Sequence, residues 1–204
     1  MDRDPLKKVI SLLEKIPGVG EKTARRYALF LLQQSKEYSI ELSKAILELK
    51  ENTGSCPQCG NITSSDGELC AICCDPMRDR ETLCVLESLE DLLNFEHSGI
   101  YNGLYFVLGG RISPMEGEDL DDERLKKLKD YVVEGKFKEV IIATNPKVEG
   151  DLTFYAVYDA IKDCNVAISR LAFGLPVGGN IGYADRMTLH ASLDSRVAIK
   201  DAKR

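Results

Sequence analysis

The sequence predicts an α/β protein with a mostly parallel sheet, preceded by a helical amino end and a small cysteine-held segment. Three observations lead there. From Thr82 onward, short β-rich runs alternate with amphipathic stretches, the rhythm of strands joined by crossover helices. The first fifty residues carry helical apolar periodicity broken by glycines. Between these regions lies a stretch with four regularly spaced cysteines and almost no apolar periodicity.

Taken in order, apolar residues recur at helical spacing over 6–16 (Val9, Leu12, Leu13, Ile16) and 23–34 (Tyr27, Phe30, Leu31), with Pro17, Gly18, Val19 and Gly20 between them. Helix, hairpin, helix is expected. A third helix over 40–50 presents Leu42, Ile46 and Leu49 on one face. Strands are expected at 83–86, 104–108, 139–143 and 166–171, and helices at 89–95, 124–133 and 152–161. Ser88 followed by Asp91 reads as an N-cap with an acidic third position. The acidic stretch 116–123 reads as a solvated connection into the next helix, and no internal repeat is found.

Composition bounds the function. With 44% hydrophobic and 29% charged residues in 204, the chain can bury a core and lies outside the disordered class. No apolar run approaches the roughly 20 residues that span a bilayer, nor does the amino end hold a signal-type apolar region; a cytoplasmic protein is expected. A net charge of -6 argues against a surface that is a nucleic-acid footprint throughout. Residues 1–50 hold ten Lys or Arg against seven Asp or Glu, which leaves -9 on the rest. Charge alone leaves two readings open: ordinary scatter, or a DNA-contacting surface near the amino terminus.

Cys56/Cys59 and Cys70/Cys73 form two Cys-x-x-Cys pairs ten residues apart. Each pair sets two sulfurs on one turn, and two facing turns supply the tetrahedral thiolates that zinc prefers. Disulfides are the alternative, disfavoured in a cytosolic chain. Cys74 is a spare thiol beside the last ligand and could substitute for it. Cys84 and Cys164 sit in or beside apolar runs and read as core residues. His97 and His190, the only histidines, suggest no Cys/His nucleophile.

Gly18 and Gly20, followed by Lys22 and Arg26, are what a helix-hairpin-helix phosphate clamp requires. Glycines let a phosphate approach the backbone, and the next helix offers free N–H groups at its positive end. Lys22 and Arg26, four apart, share a helix face and can add contacts that carry no sequence information. An ordinary tight turn between packed helices is the other reading.

In order, these segments resemble the RecR family of bacterial recombination mediators over essentially the whole chain. The resemblance is carried by IPGVGEKTARR at 16–26, CPQCGNIT and CAICCDPMRD across the cysteines, ATNPKVEGD at 143–151 and GLPVGGNIGYAD at 174–185. It implies a helix-hairpin-helix domain (1–53), a four-Cys zinc finger (54–79), a Toprim domain (80–175) and a short Walker-B-like carboxy-terminal segment (176–204). It further implies a ring-shaped homo-oligomer, a tetramer, that acts with RecO-like and RecF-like proteins. Their joint task is to load RecA on gapped or single-stranded DNA in the cytoplasm, at the nucleoid. Cys74, Lys147 and Gly182 depart from the family's usual residues.

Toprim enzymes gather a divalent metal with a glutamate after the first strand and a pair of aspartates after a later one. Glu87 matches the first. At the second site the chain has Asn145 and Lys147 where the catalytic pattern has aspartates, so a non-catalytic scaffold is expected, with Glu87, Glu149 and Asp151 as a degenerate acidic site. A metal-dependent phosphoryl-transfer enzyme and a zinc-stabilised adaptor that never touches DNA are the competing classes.

Overall fold

The computed structural model describes residues 4–197; 1–3 and 198–204, the ends of the amino- and carboxy-terminal segments expected above, lie outside the described residues. The chain divides into two compact units, Met1–Thr53 and Gly54–Arg204.

The first unit is three helices, α1 (Pro5–Leu13), α2 (Glu21–Gln33) and α3 (Lys36–Glu51). Asp4 caps α1 through Leu6 N at 3.0 Å, and Pro5 opens it, where its missing N–H is no loss. Helix α3 begins four residues before its apolar stripe because Ser35 accepts from Tyr38 N, a cap that fixes the start independently of the packing face. Helix α1 packs on α2, yet only Ala24 and Ala28 are buried among the described residues of this unit.

The second unit opens with the hairpin β1 (Gly54–Ser55) and β2 (Ile62–Thr63) and the short helix α4 (Ala71–Cys74). There follow β3 (Thr82–Leu86), α5 (Leu89–Ser98), β4 (Leu104–Val107), α6 (Asp122–Glu134), β5 (Glu139–Ala143), α7 (Val148–Ile161) and β6 (Ala167–Arg170). The four longer strands form one parallel sheet in the order β4-β3-β5-β6. Its central strands are continuous apolar runs, as burial on both faces demands. Leu83, Val85, Phe106, Val140, Ile142 and Ile161 are core on one side, and Cys84, Leu86, Leu92 and Tyr105 on the other.

Boundaries shift where caps decide. Asp121 caps α6, so Asp122 and Glu123 belong to the helix and only the preceding part of the acidic stretch is connection. There Arg111 pairs with Glu116 and Glu118. The Ser88–Asp91 pair forms a full capping box on α5. Helix α7 starts directly after Lys147 rather than at 152. Beyond the sheet, a 3-10 turn (Ile181–Tyr183) and α8 (Arg186–Asp194) close the described chain. Asp185 caps α8 through Thr188 N at 2.8 Å; no helix was expected there, its apolar residues being too sparse to mark a face.

Candidate functional site

The segment 54–79 buries five side chains, those of Cys56, Cys59, Thr63, Cys70 and Cys73. Its core is therefore sulfur. Cys56 and Cys59 sit on a turn that the β1–β2 hairpin closes: Cys56 N donates to Asn61 O at 2.7 Å and Gly60 N to Cys56 O at 2.9 Å. Gly60 takes φ +82°, a conformation that favours glycine. Cys70 is the N-cap of α4, which carries Cys73 into the same pocket.

The four Sγ atoms lie within 4.8 Å of one another, with Cys59–Cys70 at 3.5 Å and Cys56–Cys73 at 3.9 Å. A tetrahedron with Zn–S bonds of about 2.3 Å has sulfur–sulfur edges of about 3.8 Å, so the donor set fits zinc in number, type and spacing. Without a cation the thiols must share protons. Hydrogen bonding with Cys70 pushes the Cys59 thiol up, and hydrogen bonding with Cys59 and Cys70 pushes Cys73 up, while Cys70 is driven down by the same contacts. A divalent ion removes that conflict by taking all four as thiolates. The spare thiol of Cys74 is exposed and faces Leu69 O at 3.7 Å, outside the cluster. Burial pushes the Cys84 thiol up to about 12, which leaves it unreactive as a core residue.

In the amino-terminal hairpin, Val19 N donates to Ile16 O at 3.0 Å and Gly18 takes φ +78°. Gly20 is the N-cap of α2 and offers no side chain to its first N–H groups. Its φ of -83° suits any residue, and a Cβ on Gly18 or Gly20 would meet nothing within 4 Å. Neither glycine is therefore demanded by packing within the chain. Gly18 is held to glycine by its positive φ, and Gly20 leaves the first N–H groups of α2 without a side-chain cap. Lys22 and Arg26 are exposed on this helix. Arg26 lies 5.3 Å from the Tyr27 ring centre, whereas Arg25 is held by Glu21 at 2.8 Å.

At the sheet's carboxyl edge, Glu87 follows β3 and Asn145 follows β5, adjacent strands whose outgoing connections run in opposite directions. That is the topological switch point, where open parallel sheets bind ligands. The Glu87 side chain is buried and accepts from Asn145 N at 3.3 Å and from Asn145 Nδ2. An open cleft of about 830 Å³ lies there, lined by Glu87, Asp91, Gly110, Arg111, Glu118 and Asn145. Glu149 and Asp151 do not line it. Asp151 pairs with Arg170, whose guanidinium lies 4.4 Å from the Phe154 and Phe173 ring centres. Among the described residues, the four cysteines are the one group of three or more His, Cys, Asp or Glu side chains with ligand atoms close enough to share an ion.

Comparison with known proteins matches these parts in the same order. Residues 6–50 match the family model for the RecR helix-hairpin-helix, 81–172 that for the Toprim domain and 174–197 that for the RecR C-terminal region. Recombination protein RecR of Syntrophobacter fumaroxidans is 43% identical over 190 residues, covering 93% of this chain and 94% of its own. That of Moorella thermoacetica is 42% identical over 193 residues (95% and 96%), and that of Myxococcus xanthus 40% over 196 (96% and 98%). The chain belongs to the RecR family.

Within this RecR chain, sequence spacing located the four clustered cysteines, but it missed the arginines that hold the segment around them. Arg78 pairs with Glu96, which also accepts from Tyr105 Oη at 2.8 Å. Arg124 reaches from α6 to Cys59 O at 2.8 Å. No local signal marks either, because their partners are 18 and 65 residues away. Gly150 is fixed by the fold: a Cβ there would sit 1.9 Å from Asn145 O. The Gly182 departure leaves a turn closed by Asn180, whose Oδ1 accepts from Gly182 N at 2.9 Å. Among the described residues no helix is long and apolar enough to cross a membrane.

Proposed function

We propose that this chain is a non-catalytic DNA repair and recombination protein that helps load a recombinase on gapped or single-stranded DNA. In this reading it acts in the cytoplasm, at the nucleoid, as a ring-shaped homo-oligomer, a tetramer, with RecO-like and RecF-like partners and RecA as the loaded protein. The observation that carries the reading is the 40–43% identity to proteins named Recombination protein RecR over nearly the whole chain.

The parts divide as follows. Residues 1–53 hold DNA, with phosphates at Gly18, Gly20, Lys22 and Arg26. Residues 54–79 are a finger built on one zinc held by Cys56, Cys59, Cys70 and Cys73; residues 80–175 are the Toprim scaffold; and 176–204 is a contact segment. The three helices of the first unit supply a reason for self-association: they line an apolar groove of about 700 Å³ that includes Leu6, Val9, Leu31, Leu42 and Ile46. A second copy can cover it. Phosphoryl transfer is disfavoured because Glu87 is occupied by Asn145 and the other two carboxylates stand apart from it. Asn145 offers only a neutral carbonyl, and Lys147 brings no carboxylate and does not line the Glu87 cleft, so the ligand charge that a metal-dependent reaction needs is missing.

Titration of gapped DNA, with and without a RecO-like protein, tests the reading, with solution mass followed alongside. Replacing Lys22 and Arg26 by Ala should weaken binding alike on all sequences and reduce the salt slope by about one per lost phosphate contact. An unchanged slope removes the hairpin as the DNA site. Nicking or primer synthesis in Mg²⁺ that disappears in Glu87→Ala would replace this reading with the enzyme.

A further inference from the structure

The guanidinium of Arg124 has an environment that its own helix does not explain. Its Nε donates to Val107 O at 2.8 Å and its Nη2 to Cys59 O at 2.8 Å, and it lies 3.9 Å from the Phe106 ring centre. Among the described residues no carboxylate pairs with it. Cys59 O also accepts from Val107 N at 2.8 Å. One turn of the cysteine cluster is thereby fastened to β4, the outer strand of the sheet, whose open edge needs a cover.

Gly60 completes the arrangement. A Cβ there would stand 2.2 Å from Arg124 Nη2 and 3.2 Å from Val107 O, so the turn is shaped to admit this side chain. The second pair has a lesser counterpart, since Arg80 Nη2 donates to Cys73 O at 3.3 Å and to Asp75 O at 3.4 Å. Each guanidinium thus reaches the carbonyl of the second cysteine in a Cys-x-x-Cys pair. A divalent ion with four thiolates carries a net charge of 2-, and such centres depend on outer partners that orient the ligands and balance the charge.

We infer that Arg124 is the positioning residue that couples the four-cysteine metal centre to the edge strand of the sheet, with Arg80 as its weaker equivalent on the second turn. This rests on the reading of residues 54–79 as a zinc finger. Arg124 supplies the counter-charge of the tetrathiolate and fixes the carbonyl of the turn that bears Cys59. Metal occupancy and order at Val107 are then linked reciprocally: losing either weakens the other.

The test uses full-length zinc-loaded protein and three readouts: zinc release to a chelating dye, the Co²⁺ absorption spectrum of the exchanged protein, and amide exchange at Val107. Arg124→Met should weaken zinc affinity about 10- to 100-fold, the range that follows loss of outer partners of metal ligands, seen as faster release to the dye, and should deprotect the Val107 amide. Arg124→Lys, which keeps charge but not the fork of donors, should fall between, and Arg80→Met should show a smaller acceleration. If Arg124→Met does not accumulate, Arg124→Lys and Arg124→Gln read the same release rate. Wild-type release and wild-type Val107 protection in these variants overturn the coupling while leaving the zinc reading intact. Purified wild-type protein with no zinc and no tetrathiolate Co²⁺ spectrum overturns both.

Discussion

The helical unit and the parallel-sheet unit meet the same apolar demand in opposite ways. In the sheet, Leu83, Val85, Phe106, Val140 and Ile142 are all at 0% exposure, enclosed by helices and strand neighbours. In the helical unit, Leu32, Leu47 and Leu49 remain 71%, 60% and 62% exposed. Both sequences carry apolar periodicity; the difference is geometric. A four-stranded sheet has two faces that crossover helices of the same chain can cover, whereas three helices in about fifty residues have too little mass to enclose their own stripes. The teaching is that an apolar stripe predicts a helix but not what covers it. Between these extremes stands the cysteine segment, which has no apolar stripe: its buried side chains are four cysteines and Thr63, with Ile72 packed between them and the sheet's cores.

The largest effect that sharpens this contrast is metal removal. Structural zinc contributes on the order of 10 kcal/mol to a small metal-held segment, so on the proposed reading of the four cysteines as zinc ligands, chelation, or Cys59→Ser, should abolish amide protection over 54–79 while central-strand amides such as those of Val85 and Ile142 stay protected. Protection that survives in a metal-free finger would show that something other than the cysteine cluster holds it.

Next comes a matched pair of truncations. Phe106→Ala should cost about 3–5 kcal/mol in urea unfolding, because the removed ring leaves a cavity in an enclosed core. Ile46→Ala, on the rim of the apolar groove, should change the stability of the dilute protein by less than about 0.5 kcal/mol while lowering its mass in sedimentation at higher concentration. Equal losses at the two positions would break the comparison and show that the helical unit has a finished core of its own.

The smallest effect concerns pH. Hydrogen bonds from Arg78 hold the Glu96 carboxyl below the usual glutamate range. Its contribution to stability is therefore fully present above the ordinary glutamate pKa and is lost as pH falls through the lower folded value. Glu96→Gln should flatten the acid limb of the stability profile below that range and leave neutral pH less stable than wild type. A limb unchanged by the substitution would assign acid sensitivity elsewhere.

Much of the fold was written locally. The Ser88–Asp91 capping box, the alternation from Thr82 onward and the two Cys-x-x-Cys turns each act over a few residues, so their spacing could be read directly. The helical start at 36 was set by a single Ser, and α8 by a single Asp, signals too small to outweigh a sparse apolar pattern.

What the sequence by itself determined was the alternation of the longer strands and helices, the four sulfurs that can share one ion, and the presence of Asn145 and Lys147 rather than carboxylates after the third long strand. Only the tertiary structure decided which distant groups meet. Glu87 faces Asn145 rather than Asp151 because β3 and β5 are neighbours in the sheet, and Asp151 is drawn to Arg170 at the end of β6. Arg124 finds Cys59 across 65 residues because α6 and the cysteine turn converge on the same edge strand. Backbone propensity and motif spacing are short-range quantities, whereas strand order and the packing of side chains between elements are set by enclosing the core as a whole, and no local window of sequence contains that information.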